Sequence, residues 1–253
     1  MLHLELPPAP IFIVTGPSGV GKNTLIDQVS GMFPELAFGT SRTTRDPRPD
    51  DRPEQYVHGD LDAMCAAFDA GELLEWAPYG DNFYASLRPD SSRPTIMDIE
   101  LKGAAQVMAY HPNLPVTFIG VIPMIKYIDT DRQSATAKLD LHSRHPNMLM
   151  AARVGVLREH LQGRPGMDQE AIAKRLRIGQ LEIAEISAYW ANRPDAHVIE
   201  NIEGKREEAV AQLAAIVGGK IYEWRQACDQ ARDAHINELE SRLIIEQEFG
   251  ERE

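Results

Sequence analysis

The chain has 253 residues, and 26 Lys and Arg against 38 Asp and Glu leave a formal charge of −12. A hydrophobic content of 43% with 25% charged residues is ordinary for a globular protein and excludes a disordered chain. No apolar run approaches the ~20 residues of a membrane span, and the acidic balance argues against a nucleic-acid polymer or an acidic membrane as partner. The opening residues lack a basic stretch followed by an apolar run, so no secretory leader is expected. Cys65 and Cys228 lie far apart and match no zinc or redox spacing, which fits a reduced, cytoplasmic protein.

In chain order, the first signal is Ile11-Phe12-Ile13-Val14, a β-branched and aromatic run between Pro10 and Gly16 that reads as a strand buried on both faces. A Gly-rich turn follows, and then Leu25, Ile26 and Val29 mark a helix packed on a sheet. Residues 40–92 are polar, rich in turn signals and too irregular for another helix–strand unit, so they read as a small inserted subdomain. Pro94-Thr95-Ile96-Met97-Asp98-Ile99 reads as a second buried strand, with a helix over residues 102–110. Val116-Thr117-Phe118-Ile119-Gly120-Val121-Ile122 reads as a third, and Ala196-His197-Val198-Ile199 as a fourth, with a helix at about 205–217 behind it. This alternation predicts an α/β fold with a parallel sheet covered on both faces.

Residues 124–180 are helical in pattern, interrupted at His145-Pro146-Asn147 and at Gly163-Arg164-Pro165-Gly166. Residues 221–249 form a separate long-helix candidate, with Ile221, Trp224, Cys228, Ala231, Ile236, Leu239 and Leu243 at mixed three- and four-residue spacing. Packing of that stripe on its own core is the first reading, and a homodimer contact the second. The whole chain, 1–253, then reads as one domain: a core of 1–40, 93–123 and 181–220, a subdomain of 41–92, a lid with an insertion at 124–180, and a helical extension at 221–253.

Gly16-Pro17-Ser18-Gly19-Val20-Gly21-Lys22-Asn23-Thr24 is the strongest single signal. A phosphate needs several N–H donors and a positive helix end, and this turn supplies both while Lys22 reaches the outer phosphates. The position after Lys22, where a hydroxyl ordinarily meets Mg²⁺, is Asn23, which leaves Thr24 next door as the hydroxyl donor.

From here the chain resembles the guanylate kinase family. The loop and Ser41-Arg42-Thr43-Thr44-Arg45-Asp46-Pro47-Arg48-Pro49 are similar to that family's loop and T-T-R-x-P-R signature. Tyr56 stands at the Tyr of its D-Y-x-F-V stretch, Glu72-Leu73-Leu74-Glu75-Trp76-Ala77 resembles E-F-I-E-W-A, and Asn82-Phe83-Tyr84-Ala85-Ser86 resembles N-Y-Y-G-S. Ile96-Met97-Asp98-Ile99-Glu100-Leu101-Lys102-Gly103 resembles I-L-D-I-D-x-Q-G, Gly163-Arg164-Pro165-Gly166 the lid's R-G-T segment, Lys174-Arg175-Leu176 its K-R-L, and Val198-Ile199-Glu200-Asn201 its V-I-x-N. The matches run in family order from residue 11 to about 217.

The resemblance implies a P-loop kinase fold with an acceptor-binding subdomain and a helical lid, and transfer of phosphate from ATP, with Mg²⁺, to a mononucleotide such as GMP or dGMP. Such transfer needs no strong base, because the attacking phosphate oxygen is already anionic; it needs two polyanions aligned and their charge neutralised. Lys22, Arg45, Arg164 and Arg175 are the expected catalytic cations, with guanidinium suited to bidentate contact with phosphate. Gly16 to Thr24 would hold ATP phosphates, and Asn201 would sit near the adenine. Arg45, Arg48, Tyr56 and Tyr84 would hold the acceptor phosphate, while Ser41, Glu75, Ser86 and Glu100 would read the base. Asp98 would touch the acceptor site or, with Thr24, hold Mg²⁺ through water.

Four departures stand out: Asn23; Asp50-Asp51 in place of the family's G-E; Glu100 in place of its Asp; and 40 residues between Pro123 and Arg164, where the family has a short helix. Glu100 and Asp50 keep open a same-fold kinase acting on a modified or deoxy mononucleotide or a phosphorylated sugar. A catalytically silent binding module is a further reading, disfavoured by the intact Gly16, Gly21 and Lys22. His142, His145 and His160 lie in a helical, acid-poor stretch and read as solvated rather than as a zinc site.

Overall fold

The computed structural model describes residues 4–47, 51, 54–79, 81–124, 146–164, 166–188, 190, 193 and 196–250. The chain opens with β1 (Ile11–Thr15), α1 (Lys22–Ser30), β2 (Ala37–Phe38), β3 (Ser41–Thr43) and β4 (Tyr56–His58). Next come α2 (Leu61–Asp69), β5 (Leu73–Tyr79), β6 (Asn82–Leu87), β7 (Thr95–Asp98) and α3 (Leu101–Tyr110). The remainder holds β8 (Val116–Met124), α4 (Pro146–Gln162), α5 (Gln169–Ala188), β9 (Ala196–Ile202) and α6 (Arg206–Gly250).

Five strands form a sheet in the order β2-β7-β1-β8-β9, and every pairing in it is parallel. β1 lies in the middle, with all five residues buried, as its unbroken apolar run requires of a strand covered on both faces. Leu25, Ile26 and Val29 of α1 and Ala104 and Val107 of α3 join that core. α5 presents Ile183 and Ile186, both fully buried, and Gly120 of β8 has no side chain because a Cβ there would lie 2.5 Å from Ile186 Cγ2. Trp190 completes the layer, edge-on to Phe118 with ring centroids 5.7 Å apart.

Residues 40–92 are more regular than their composition suggested. β3 to β6 make a second sheet in the order β4-β3-β6-β5, and Asp60 caps α2 by accepting from the Ala63 N–H at 2.9 Å. A small satellite core of Met64, Ala67, Leu73 and Ala85 lies under that helix. Gln106 of α3 donates to the Trp76 carbonyl at 2.6 Å and accepts from the Trp76 N–H at 3.2 Å, which fastens β5 to the main body.

The C-terminal reading needs correction. The helix expected at 205–217 and the separate candidate at 221–249 are one 45-residue helix, α6. Gly218 does not break it; its missing side chain admits Phe33, whose Cζ would lie 3.0 Å from a Cβ there. Ala209, Val210, Leu213, Val217, Ile221 and Cys228 bury one face, and Trp224 Nε1 donates to the Pro7 carbonyl at 2.9 Å. The packing reading of the stripe thus holds as far as Cys228, after which Ile236 and Leu239 stand exposed. α4 begins at Pro146, where the pattern placed an interruption, while the insertion before it lies outside the described residues. α5 runs without a break across the 180/181 boundary between lid and core.

Ile183 makes the packing claim measurable. Ile183→Ala is expected to cost about 2–5 kcal/mol in urea unfolding, because its site is closed on every side. Tyr110→Ala, at a position 75% exposed, should stay within about 0.5 kcal/mol of wild type.

Candidate functional site

The carboxyl ends of β1 and β7, the second sheet and α5 enclose a cleft of about 480 Å³. Ligands of parallel sheets gather at this end of the strands because the loops that leave it diverge. β1 stops at Gly16, whose φ is +149° and whose Cβ would lie 2.2 Å from the Val121 carbonyl oxygen. Only glycine fits so close a backbone approach. The chain then curls through Gly19 and Gly21, both at positive φ, into the N-terminus of α1. Lys22 reaches back, donating from Nζ to the Gly16 carbonyl at 2.7 Å, with an Asp98 carboxylate oxygen 3.6 Å away.

Of the residues expected for ATP, Gly16, Ser18, Gly19, Gly21, Lys22, Asn23 and Thr24 line the cleft. Pro17 and Val20 do not. Asn201 does not reach the cleft wall either; its Nδ2 donates to the Val20 carbonyl at 2.7 Å and supports the loop from outside. Arg164 and Arg175 do line the cleft, and Arg175 Nη1 donates to Ser18 Oγ at 2.7 Å. Thr24 and Asp98 are oxygen donors near the loop. Among the described residues no three His, Cys, Asp or Glu stand close enough to hold a metal by themselves. That donor set suits Mg²⁺, which keeps waters and leans on phosphate oxygens.

On the opposite wall are Ser41, Tyr56, Glu75, Tyr84 and Ser86. β5 and β6 pair Glu75 directly with Ser86, after a bulge between Leu73 and Glu75. Glu75 is 8% exposed, and its Oε1 accepts from both the Ser86 N–H at 3.0 Å and Ser86 Oγ at 2.6 Å. Burial raises its pKa, opposed by those two hydrogen bonds. Its other oxygen fills the space beside Gly103, where a Cβ would lie 2.3 Å from Oε2.

Arg45 lies behind this wall rather than in it. It is 8% exposed, stacks 5.1 Å from the Tyr56 ring centroid, and its Nη2 donates to both Asp51 carboxylate oxygens at 2.8 and 3.0 Å. Thr43 holds the turn by accepting from the Arg45 N–H at 3.1 Å. The Tyr56 hydroxyl is pushed above its ordinary pKa by burial and the charge of Asp98, with Arg45 opposing. Arg48 and Asp50 lie outside the described residues.

Glu100 stands at the residue before α3, its side chain making no bond to the helix end, and lines the cleft. Its carboxyl is open to cleft solvent yet walled in by protein. That confinement, with Glu182, Asp98 and Glu75 nearby and Lys22 opposing, pushes its pKa up to about 7. Glu182 was missed by sequence reasoning, although Arg175, Ile178 and Glu182 share a face of α5 at helical spacing and all three line the cleft. Burial raises the pKa of Glu182 too, with Lys22 opposing and Asp98 and Glu185 adding to the rise. His160 is not simply solvated, since its Nδ1 meets the Gly19 carbonyl at 2.9 Å. His142 and His145 lie outside the described residues.

Comparison with known proteins agrees with this geometry. The guanylate kinase family model matches residues 9–177. The guanylate kinase of Thermosynechococcus vestitus is 31% identical over 184 residues, which cover 70% of this chain and 81% of that protein. That of Rubrobacter xylanophilus is 27% identical over 217 residues, covering 83% and 95%. The crystal structure of guanylate kinase from Anaplasma phagocytophilum has the same fold, with a TM-score of 0.53 at 20% identity over 86% of this chain and 89% of that one. The family match takes in the phosphate loop, the Glu75–Ser86 pair and Arg175 together, and the chain belongs to the guanylate kinase family.

Proposed function

We propose that the cleft transfers the terminal phosphoryl group of ATP to GMP or dGMP, yielding ADP and the corresponding diphosphate. The observation that carries this reading is the buried Glu75–Ser86 pair standing across one cleft from a phosphate loop. A carboxylate accepts from the N1–H and the exocyclic N–H₂ of guanine together. Adenine has an acceptor at N1 and would set it against the buried carboxylate, whose bonds from Ser86 engage only Oε1, a costly mismatch.

The acceptor phosphate oxygen attacks without help from a base, so the protein acts by placement and charge. Tyr56 and Tyr84 meet the acceptor phosphate, with Arg45 behind the Tyr56 ring; Arg48 is assigned to the same phosphate by its motif alone. Lys22, Arg164 and Arg175 neutralise the transferred group from the loop and lid sides. Thr24 and Asp98 would hold Mg²⁺ through water, and the bound ion would neutralise charge on the phosphate oxygens. Ser41 and Glu100 complete the reading of the base.

Two further proposals concern the setting. Cys65 and Cys228 are both free thiols, which supports a reduced, cytoplasmic location; no described helix is long and apolar enough to cross a membrane. Exposed Ile236 and Leu239 support a homodimer through α6, read as a mass in solution of two chains that falls to one when residues 230–253 are removed.

Coupled ADP release over a panel of mononucleotides tests the activity: turnover with GMP or dGMP is expected, and turnover confined to another acceptor would sink the reading. Glu75→Gln should lower kcat/KM for the guanine nucleotide by about 10- to 150-fold, the worth of hydrogen bonds to a charged group. Equal losses with non-guanine acceptors would show that Glu75 supports the wall without reading the base. For Glu100, the folded protein holds its proton more tightly than the unfolded chain does. Its contribution therefore favours the fold fully below the ordinary value of 4.5 and is withdrawn as pH rises through about 7. The thermal midpoint of Glu100→Gln minus that of wild type should grow across that window and level off above it. A difference independent of pH would contradict the assignment.

A further inference from the structure

His160 stands in the last turn of α4, away from the cleft wall, and touches the phosphate loop from behind. Its Nδ1 lies 2.9 Å from the Gly19 carbonyl oxygen. A carbonyl can only accept, so Nδ1 carries the proton and donates. The loop rests directly on this turn, since a Cβ at Gly19 would lie 3.4 Å from the Leu161 side chain and 3.7 Å from His160 Cβ.

An anion-binding loop must point its N–H groups inward and keep its carbonyl oxygens turned away. Four other carbonyls of the loop are held in place. The Gly16 oxygen accepts from Lys22 Nζ at 2.7 Å and the Pro17 oxygen from the Val20 N–H at 3.1 Å. The Val20 oxygen accepts from Asn201 Nδ2 at 2.7 Å and the Gly21 oxygen from the Leu25 N–H at 3.1 Å. Gly19 sits among them, at φ +95° and without a Cβ to resist rotation of its peptide. Its carbonyl is held by His160, from a helix that ends two residues before Arg164.

We propose that His160 is a positioning residue for ATP: its Nδ1–H pins the Gly19 carbonyl outward, and so ties the helix that leads to Arg164 to the shape of the phosphate loop. The inference rests on reading this loop as the ATP site. It assigns His160 no contact with the nucleotide and no part in moving a proton.

The test uses the full chain as wild type, His160→Leu and His160→Asn. Leu keeps the bulk and loses the donor, whereas the Asn amide places a donor nitrogen at the same bond distance from Cβ as Nδ1. ATP affinity by calorimetry, and KM for ATP and for GMP, are measured on each. His160→Leu should weaken ATP about 3- to 10-fold, the worth of one net hydrogen bond, with KM for GMP unmoved. His160→Asn should return ATP affinity to within about twofold of wild type. Unchanged ATP affinity in the Leu variant, an Asn variant as weak as Leu, or equal losses for both substrates would overturn the inference while leaving the ATP site intact. No ATP binding by the wild-type chain would remove the site reading and the inference together. Nitrogen NMR of the wild-type ring stands independently of how the variants fold: a proton on Nδ1 is expected, and a neutral ring protonated on Nε2 alone would overturn it.

Discussion

The rest of the site depends on one close approach, that of the Gly16 backbone to the Val121 carbonyl oxygen at the end of the central strand. A Cβ at Gly16 would lie 2.2 Å from that oxygen, so any other residue would force β1 and β8 apart where the loop begins. Because the strands stay together, the chain turns at once and delivers the N-terminus of α1 to the mouth of the cleft. The helix's first residue, Lys22, then closes the turn onto Gly16 itself. The opposite wall depends on a similar economy of space, with Gly103 making room for the Glu75 carboxylate.

Charge within the cleft is less simple than a gathering of cations in an acidic chain. Its lining holds Lys22, Arg164 and Arg175, but also Glu75, Asp81, Asp98, Glu100 and Glu182. Arg45 is withdrawn behind Tyr56 and matched by Asp51. Burial first, and then neighbouring carboxylates, raise the pKa of Glu100 and of Glu182, and Lys22 is the common counter-charge to both. An acceptor base and two sets of phosphates ask for both signs in one cavity. The separation of Glu75 from the loop across the cleft meets that demand.

What was legible in the sequence had strong local causes. The strands at Ile11, Pro94 and Val116 announced themselves because both faces are buried, the edge strand at Ala196 by its short apolar run, and the loop because glycine, lysine and a following helix have few other uses together. Glu75, Ser86, Tyr84 and Arg175 were reached through ordered motif resemblance, and the cleft brings them close. Other features had no local signature. The two residues of β2 are too short to show a period, and the second sheet is assembled from short strands whose pairing is set by tertiary contacts. The break between residues 217 and 221 is absent because the helix continues through it, with Phe33 packed against Gly218. His160 takes its significance from the loop that α4 packs against, which no spacing in the chain displays, whereas Glu182 was within reach of the helical spacing from Arg175.

The length of α6 has a mechanical consequence. At 1.5 Å per residue its 45 residues run to about 68 Å, and about 33 Å of that lies beyond Cys228, the last buried residue of the helix among those whose burial is described. A molecule with such a rod fixed to one side meets more drag than a sphere of 28.3 kDa and tumbles fastest about the rod's own axis. The body also acquires a lever: a force on the far end acts on the seam where Trp224 meets Pro7 and Arg225 meets Glu35, well away from the nucleotide cleft.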